Sequence, residues 1–244
     1  MEIARSGYQR EAGAQTLADK SLSLRPVVLN SYGASNESSV RSGLGDLYER
    51  VGKRAFDAVF SAAFLVLMAS WLFPLIALFI RLDSKGPVFF RQRRVGLNGE
   101  IFECLKFRTM RHDPEGKFVQ AQKDDPRITR VGAFLRKTNL DEVPQFINVL
   151  RGDMSVVGPR PHVPDLDHKF RDVVLGYLAR NAVKPGVTGL AQVSGCRGET
   201  RSVREMTHRV RFDSFYCRSL SFALDLKIIA LTVLRVLQGD EKAY

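Results

Sequence analysis

Asp141 and Glu142 are adjacent carboxylates inside the 22-residue stretch Leu140–Pro161, LDEVPQFINVLRGDMSVVGPRP. A carboxylate can serve as nucleophile, general base or metal ligand, so two neighbours can divide those jobs. The nearby cations suit phosphate chemistry. Lys106 lies in KFRTM, Arg136 stands five residues before Asp141, and Arg160 is enclosed by Pro159 and Pro161. A guanidinium can grip phosphate oxygens two at a time, and flanking prolines fix the backbone that carries it. Each feature also has a plainer meaning: a capped helix, a surface cation, a rigid turn. Spacing alone leaves both readings open.

The elements that would position these residues follow from periodicity. Asp141 fits a helix N-cap, with Pro144 at the third helical position, where its missing N–H costs no helix bond. Val143, Phe146, Ile147 and Leu150 recur at helical spacing, and Arg151-Gly152 closes the helix. The acids would then sit at the positive end of a helix dipole. Val88–Gln92 and Ile101–Phe107 read as a β-hairpin around Gly96–Gly99. A strand continuing through KFRTM would put Lys106 and Arg108 on one face. Arg91, Arg93 and Arg94 read as contacts to lipid headgroups. Val163–Arg180 reads as helix and Lys184–Gly189 as a turn. Thr200–Arg218 reads as an amphipathic segment, and Leu224–Leu237 as a core or interfacial helix.

Ala58–Ile80 is a run of 23 uncharged, mostly apolar residues. As a helix it would reach ~34 Å, enough to cross a bilayer. Pro74 lies inside it and should bend it, while Arg50, Lys53 and Arg54 before it and Arg81 and Lys85 after it are basic. Basic flanks on both sides favour a helix that enters, breaks at Phe73-Pro74 and returns, with both ends on the cytoplasmic face. Residues 1–47 are rich in Ser, Gly, Ala, Asn and Arg without periodicity and read as a disordered tail, lacking a secretory signal pattern.

Composition narrows the partners without choosing one. The formal net charge is +11 over 244 residues, which suits anionic lipid, nucleotide or nucleic acid. No nucleic-acid recognition motif, Walker loop or dinucleotide fingerprint accompanies it, and nucleic acid is not expected as a partner. Cys104, Cys196 and Cys217 suggest neither a disulfide framework nor a zinc site. His112, His162, His168 and His208 show no ligand spacing.

KFRTM, LDEVPQFINVLRGDMSVVGPRP and KPGVTGLAQVSG (Lys184–Gly195), in that order, resemble the bacterial sugar transferase family, the monotopic phosphoglycosyl transferases. The resemblance covers about Tyr48–Tyr244. It implies an α+β, mainly helical, single membrane-associated domain over 48–244, with a Pro-broken re-entrant helix near 50–82, a small hairpin and interfacial helices. It further implies transfer of a sugar 1-phosphate from a UDP-sugar to undecaprenyl phosphate at the bacterial inner membrane, with Mg²⁺. Asp141 would be the nucleophile and Glu142 the metal ligand, with Lys106, Arg136, Arg160 and Asp213 around the substrate. Pro159–His162 followed by Gly195–Thr200, GCRGET, is similar to the glucose branch, with galactose second. Here the break is Phe73-Pro74 where the family commonly has Ser-Pro. A membrane-tethered interaction protein binding anionic lipid or assembly partners is the rival without chemistry.

Overall fold

The computed structural model describes residues 48–112, 125–196, 198, 200 and 202–238. The disordered reading of 1–47 lies outside them. What is described is mainly helical, with two small two-stranded sheets and one long apolar helix.

That helix, α1 (Lys53–Asp83), runs unbroken through Pro74. Pro74 has no N–H for the Ser70 carbonyl. The Ser70 hydroxyl turns back to the Val66 carbonyl at 3.0 Å and leaves that gap uncovered. Most of α1 shows its apolar side chains to the surroundings, among them Val66, Leu67, Trp71 and Phe79. Such a face is unstable against water and fits lipid. The inward stripe is aromatic. Phe60 and Phe64 pack on Phe146, the second pair with centroids 4.2 Å apart, and beyond the proline Phe73 packs edge-on against Phe107 at 5.0 Å. Both halves of α1 therefore rest on the same body.

Both ends are tied to it as well. Arg54 donates to the carbonyls of Val149 (2.6 Å) and Leu150 (2.7 Å). Arg108, buried, donates to carbonyls at and just past the end of α1: Ser84 at 2.6 Å, Lys85 at 3.0 Å and, shared with the Ser84 N–H, Ile80 at 3.3 Å. Asp83 accepts from the Val131 N–H at 2.8 Å, at the start of α2 (Arg130–Lys137).

The hairpin pairs β1 (Phe89–Val95) with β2 (Ile101–Phe107), Phe90 opposite Lys106. The turn uses Asn98 at φ 54 and Gly99 at φ 84, both in the left-handed region. Strand β2 ends at Phe107, so Lys106 and Arg108 part company: one points toward the acid pair, the other caps α1.

After α2 come α3 (Gln145–Arg151) and β3 (Ser155–Val157). The expected helix over 163–180 divides into α4 (Pro164–Arg171) and a tight 3-10 segment Tyr177–Ala182, separated by Gly176 at φ 74. Gly186–Thr188, read from sequence as part of a turn, is a strand, β4, parallel to β3. Its glycines answer to crowding. A Cβ on Gly186 or Gly189 would collide with the Gly158 backbone, and one on Gly158 with the Lys184 carbonyl. The chain closes with α5 (Leu190–Val193), α6 (Val203–Ser219) and α7 (Phe222–Gln238). Helix α6 starts with a full capping box between Ser202 and Glu205. The main core joins Val149, Met154, Val157, Tyr216 and Ile228 from α3, β3, α6 and α7. Cys104 is a buried free thiol and Cys217 a partly buried one.

Candidate active site

The acid pair sits on a 3-10 turn, Leu140–Glu142, entered through Asn139 in the left-handed region at φ 58. Asp141 is therefore not the N-cap of the α-helix, which begins at Gln145 with Pro144 in the cap position. The proline supplies the reason. In a continuous α-helix its N–H would bond the Leu140 carbonyl; it has none, and Val143 N takes that carbonyl at 3.2 Å, tightening the turn. The far end follows expectation: Gly152 at φ 94 closes α3 by donating to the Asn148 and Val149 carbonyls.

Asn148 locks this turn-helix unit to the hairpin. Fully buried, it accepts from the Leu105 N–H at 2.9 Å and donates to the Glu103 carbonyl at 2.7 Å. The next strand residue, Lys106, then projects onto Glu142. Lys106 Nζ reaches Glu142 Oε1 at 2.6 Å, and Arg160 straddles the same carboxylate, Nη2 to Oε1 at 2.5 Å and Nη1 to Oε2 at 3.1 Å. Burial alone would raise the Glu142 carboxyl. The Arg160 and Lys106 charges outweigh it and hold the group well below the usual range.

Asp141 has the opposite setting. Its half-buried carboxylate accepts no hydrogen bond from any described residue. Burial, with the neighbouring Glu142 charge, pushes it up to about 6 against the pull of Lys106 and the arginines. It is ionised at neutral pH yet under-solvated, which is the condition of a usable nucleophile.

Arg136 is close enough to feel the Asp141 charge, while its Nε donates to Thr109 Oγ1 at 2.9 Å. Thus Lys106, Arg136, Glu142 and Arg160 gather around Asp141. Asp213 does not join them. It is buried on α6 and receives Arg180 Nε at 3.1 Å, and Arg180 in turn donates to the Arg160 carbonyl at 2.5 Å. Asp213 is linked to the acid pair through Arg180 and Arg160. Nor does Arg94 face outward to headgroups: it is drawn in to the Pro161 carbonyl at 2.6 Å. Pro74 is remote from this chemistry in sequence and lies in the exposed apolar helix.

Asn148, Arg94, Arg180 and His162 were missed from sequence. His162 is buried with Nδ1 against Tyr177 Oη (2.6 Å) and Arg180, while Nε2 has no partner. Burial and then Arg180 hold its pKa well below normal, so it stays neutral. The signal available was adjacency to Arg160 for His162; nothing in spacing marked the other three.

A metal is a separate test. Among the described residues no three His, Cys, Asp or Glu side chains gather. Both Glu142 oxygens are already engaged by cationic donors, so Glu142 does not fit as a metal ligand in this arrangement.

Residues 48–239 match the family described as bacterial sugar transferase. Three relatives show the range of lengths. A UDP-glucose:undecaprenyl-phosphate glucose-1-phosphate transferase of Klebsiella pneumoniae is 48% identical over 186 residues, 76% of this chain and 40% of that protein. One of the same description from Caulobacter vibrioides is 48% identical over 189 residues, covering 77% and 70%. The exopolysaccharide production protein PSS of Rhizobium leguminosarum bv. phaseoli is 45% identical over 186 residues, covering 74% and 92%. The chain thus spans about two fifths of the length of the first of these.

Proposed function

The chain belongs to the bacterial sugar transferase family, and on that premise we propose that it transfers glucose 1-phosphate from UDP-glucose to undecaprenyl phosphate at the start of exopolysaccharide assembly. The observation that carries the chemistry is the division of labour between neighbours: Asp141 unpaired and pushed up to about 6, Glu142 held down by two cations.

In this reading a carboxylate oxygen of Asp141 attacks the sugar-bearing phosphorus of the donor. The bond from that phosphorus to the UMP oxygen breaks and UMP leaves. A mixed anhydride between Asp141 and glucose phosphate remains. A phosphate oxygen of undecaprenyl phosphate then attacks the same phosphorus, the Asp141–phosphorus bond breaks, and the carboxylate returns. Lys106, Arg136 and Arg160 neutralise the phosphate oxygens as charge moves. Mg²⁺ enters this proposal only as a companion of the donor diphosphate, since that ion keeps waters and substrate oxygens as most of its ligands. No step here runs through it.

The anchor reading is also ours. We place the chain at the cytoplasmic face of the inner membrane, with α1 re-entering and α7 lying at the interface, as one domain over 48–244. Its support is that both ends and both halves of α1 hold to one body. A straight 31-residue helix would separate its ends by ~46 Å.

Incubating the protein with UDP-glucose and no acceptor tests the chemistry. UMP release in about one equivalent, with the mass of a hexose phosphate on an Asp141 peptide, is the expected result. Release only when acceptor is added would point to direct transfer.

A further inference from the structure

Pro159-Arg160-Pro161-His162 is held in an unusual way. Its two prolines have no N–H, so the segment must be fixed through its carbonyls. All four are taken, each from a different part of the chain. Gly186 N donates to Pro159 O at 2.9 Å and Val95 N to His162 O at 2.8 Å. The two between are taken by side chains: Arg180 Nη2 donates to Arg160 O at 2.5 Å, and Arg94 Nη1 to Pro161 O at 2.6 Å.

Two guanidiniums are thus spent on main-chain oxygens, where a neutral donor would serve. Both are themselves positioned. Arg94 is fixed by Gln92 Oε1 through Nε (3.0 Å) and Nη2 (2.5 Å). Arg180 is fixed by Asp213 through Nε and by His162 Nδ1. An arginine can only donate, so His162 Nδ1 accepts and its proton sits on Nε2. Arg209 stands behind this group, donating to the carbonyls of Cys196 and Gly198. Burial lowers Arg94 and Arg209 to about 10, with Arg160 next among the causes at Arg94 and Arg180 next at Arg209. With Lys106, five cations (Arg94, Arg160, Arg180 and Arg209 the others) face the three carboxylates of Asp141, Glu142 and Asp213, an excess of positive charge that an incoming dianion would relieve.

We propose that Arg94 and Arg180 are positioning residues for the donor: by gripping the carbonyls of Pro161 and Arg160 they hold the Arg160 guanidinium in its diphosphate-binding pose. This rests on the transfer reading for the identity of the donor. It makes the clamp a unit, in which the outer arginines matter only while Arg160 is present.

A double-mutant cycle tests it. Arg94→Met leaves no buried carboxylate unpaired. Arg180→Met is made together with Asp213→Asn, for the same reason. Each is measured with Arg160 intact and with Arg160→Met, following the donor half-reaction by UMP release and the binding of UDP by calorimetry. With Arg160 present, each should raise KM for UDP-glucose and Kd for UDP by about 10-fold, with kcat changed less than about 3-fold. On the Arg160→Met background each should change them less than about 2-fold. Equal effects on both backgrounds, or an unchanged KM with Arg160 present, would overturn the clamp. So would wild-type protein that binds no UDP. If wild type binds UDP and the cycle holds but UMP is never released, the clamp stands and the transfer reading falls.

Discussion

Two buried ionic clusters in this protein use similar parts. At the foot of α1, Asp225 is fully buried and takes Lys53 Nζ at 2.7 Å and the Tyr48 hydroxyl at 2.6 Å on one oxygen, and the Tyr216 hydroxyl at 2.8 Å on the other. Asp57 beside it accepts from Ser155 and from the Val156 N–H. Around the acid pair, Glu142 is gripped as tightly by Lys106 and Arg160, yet its neighbour Asp141 is left without a donor. The first cluster has its demand met within the fold and joins α1, β3, α6 and α7. The second has an unpaired carboxylate, Asp141, left over and a surplus of cations. That remainder, and not the presence of buried charge, is what sets the two clusters apart.

The sharpest way to break the comparison is Asp141→Asn. It keeps the shape and removes the attacking oxygen, so UMP release should fall by about 10³-fold or more. Stability should move the other way. The folded pKa is raised, so ionising Asp141 weakens the fold as pH rises through about 6. The Asn variant should therefore melt above wild type at pH 8. A lower melting temperature there, or near-normal release, would mean that Asp141 belongs with the structural carboxylates.

Lys53→Met attacks the other cluster. It strands a fully buried Asp225 beside two hydroxyls, at a cost of about 3–5 kcal/mol. Denaturant unfolding should show that loss, while kcat per folded molecule stays within about 2-fold. A selective fall in kcat would show that the two clusters are not independent.

A subtler probe is pH. For the donor half-reaction kcat/KM should be flat above about 6 and fall tenfold per unit below it, as Asp141 takes up its proton. The donor diphosphate does not titrate there. A midpoint near the ordinary Asp value of about 3.9 would mean that burial does not tune this group.

Smallest of all should be Tyr48→Phe. Asp225 keeps Lys53 and Tyr216, so the loss should be about 1 kcal/mol, with turnover unaffected. A loss as large as that of Lys53→Met would show that the cluster tolerates no missing donor.

Much of this was legible before any coordinates. The hairpin, the apolar helix and the Gly152 stop followed from periodicity and residue chemistry; the family resemblance put Lys106 and Arg160 near the acid pair, and the structure shows both on Glu142, the residue expected to hold a metal. What was not legible has a common cause. The 3-10 entry at Leu140 depends on which carbonyl Val143 can reach once Pro144 has no N–H. Strand β4 depends on Gly158 pressing against Gly186, so glycines that look like turn signals are close-approach sites. Arg94 and Arg108 look like surface cations in sequence, and only the partner carbonyls reveal them as internal ties. Long-range partners leave no mark on local spacing. The lone carboxylate that lacks them is equally silent in the sequence.

Arg54, reaching from the start of α1 to the body, and Arg108, reaching from the body to the end of α1, have a practical consequence for anyone wanting a water-soluble version of this protein. Trimming residues 53–83 would do more than remove a greasy handle. It would uncover Phe107 and Leu135, take the Ile80 carbonyl from Arg108, and strip the buried Asp225 of its cation, Lys53. The anchor is a wall of the building, and solubilisation has to proceed by repainting its outer face, at Val66, Leu67, Trp71 and Phe79, with the wall left standing.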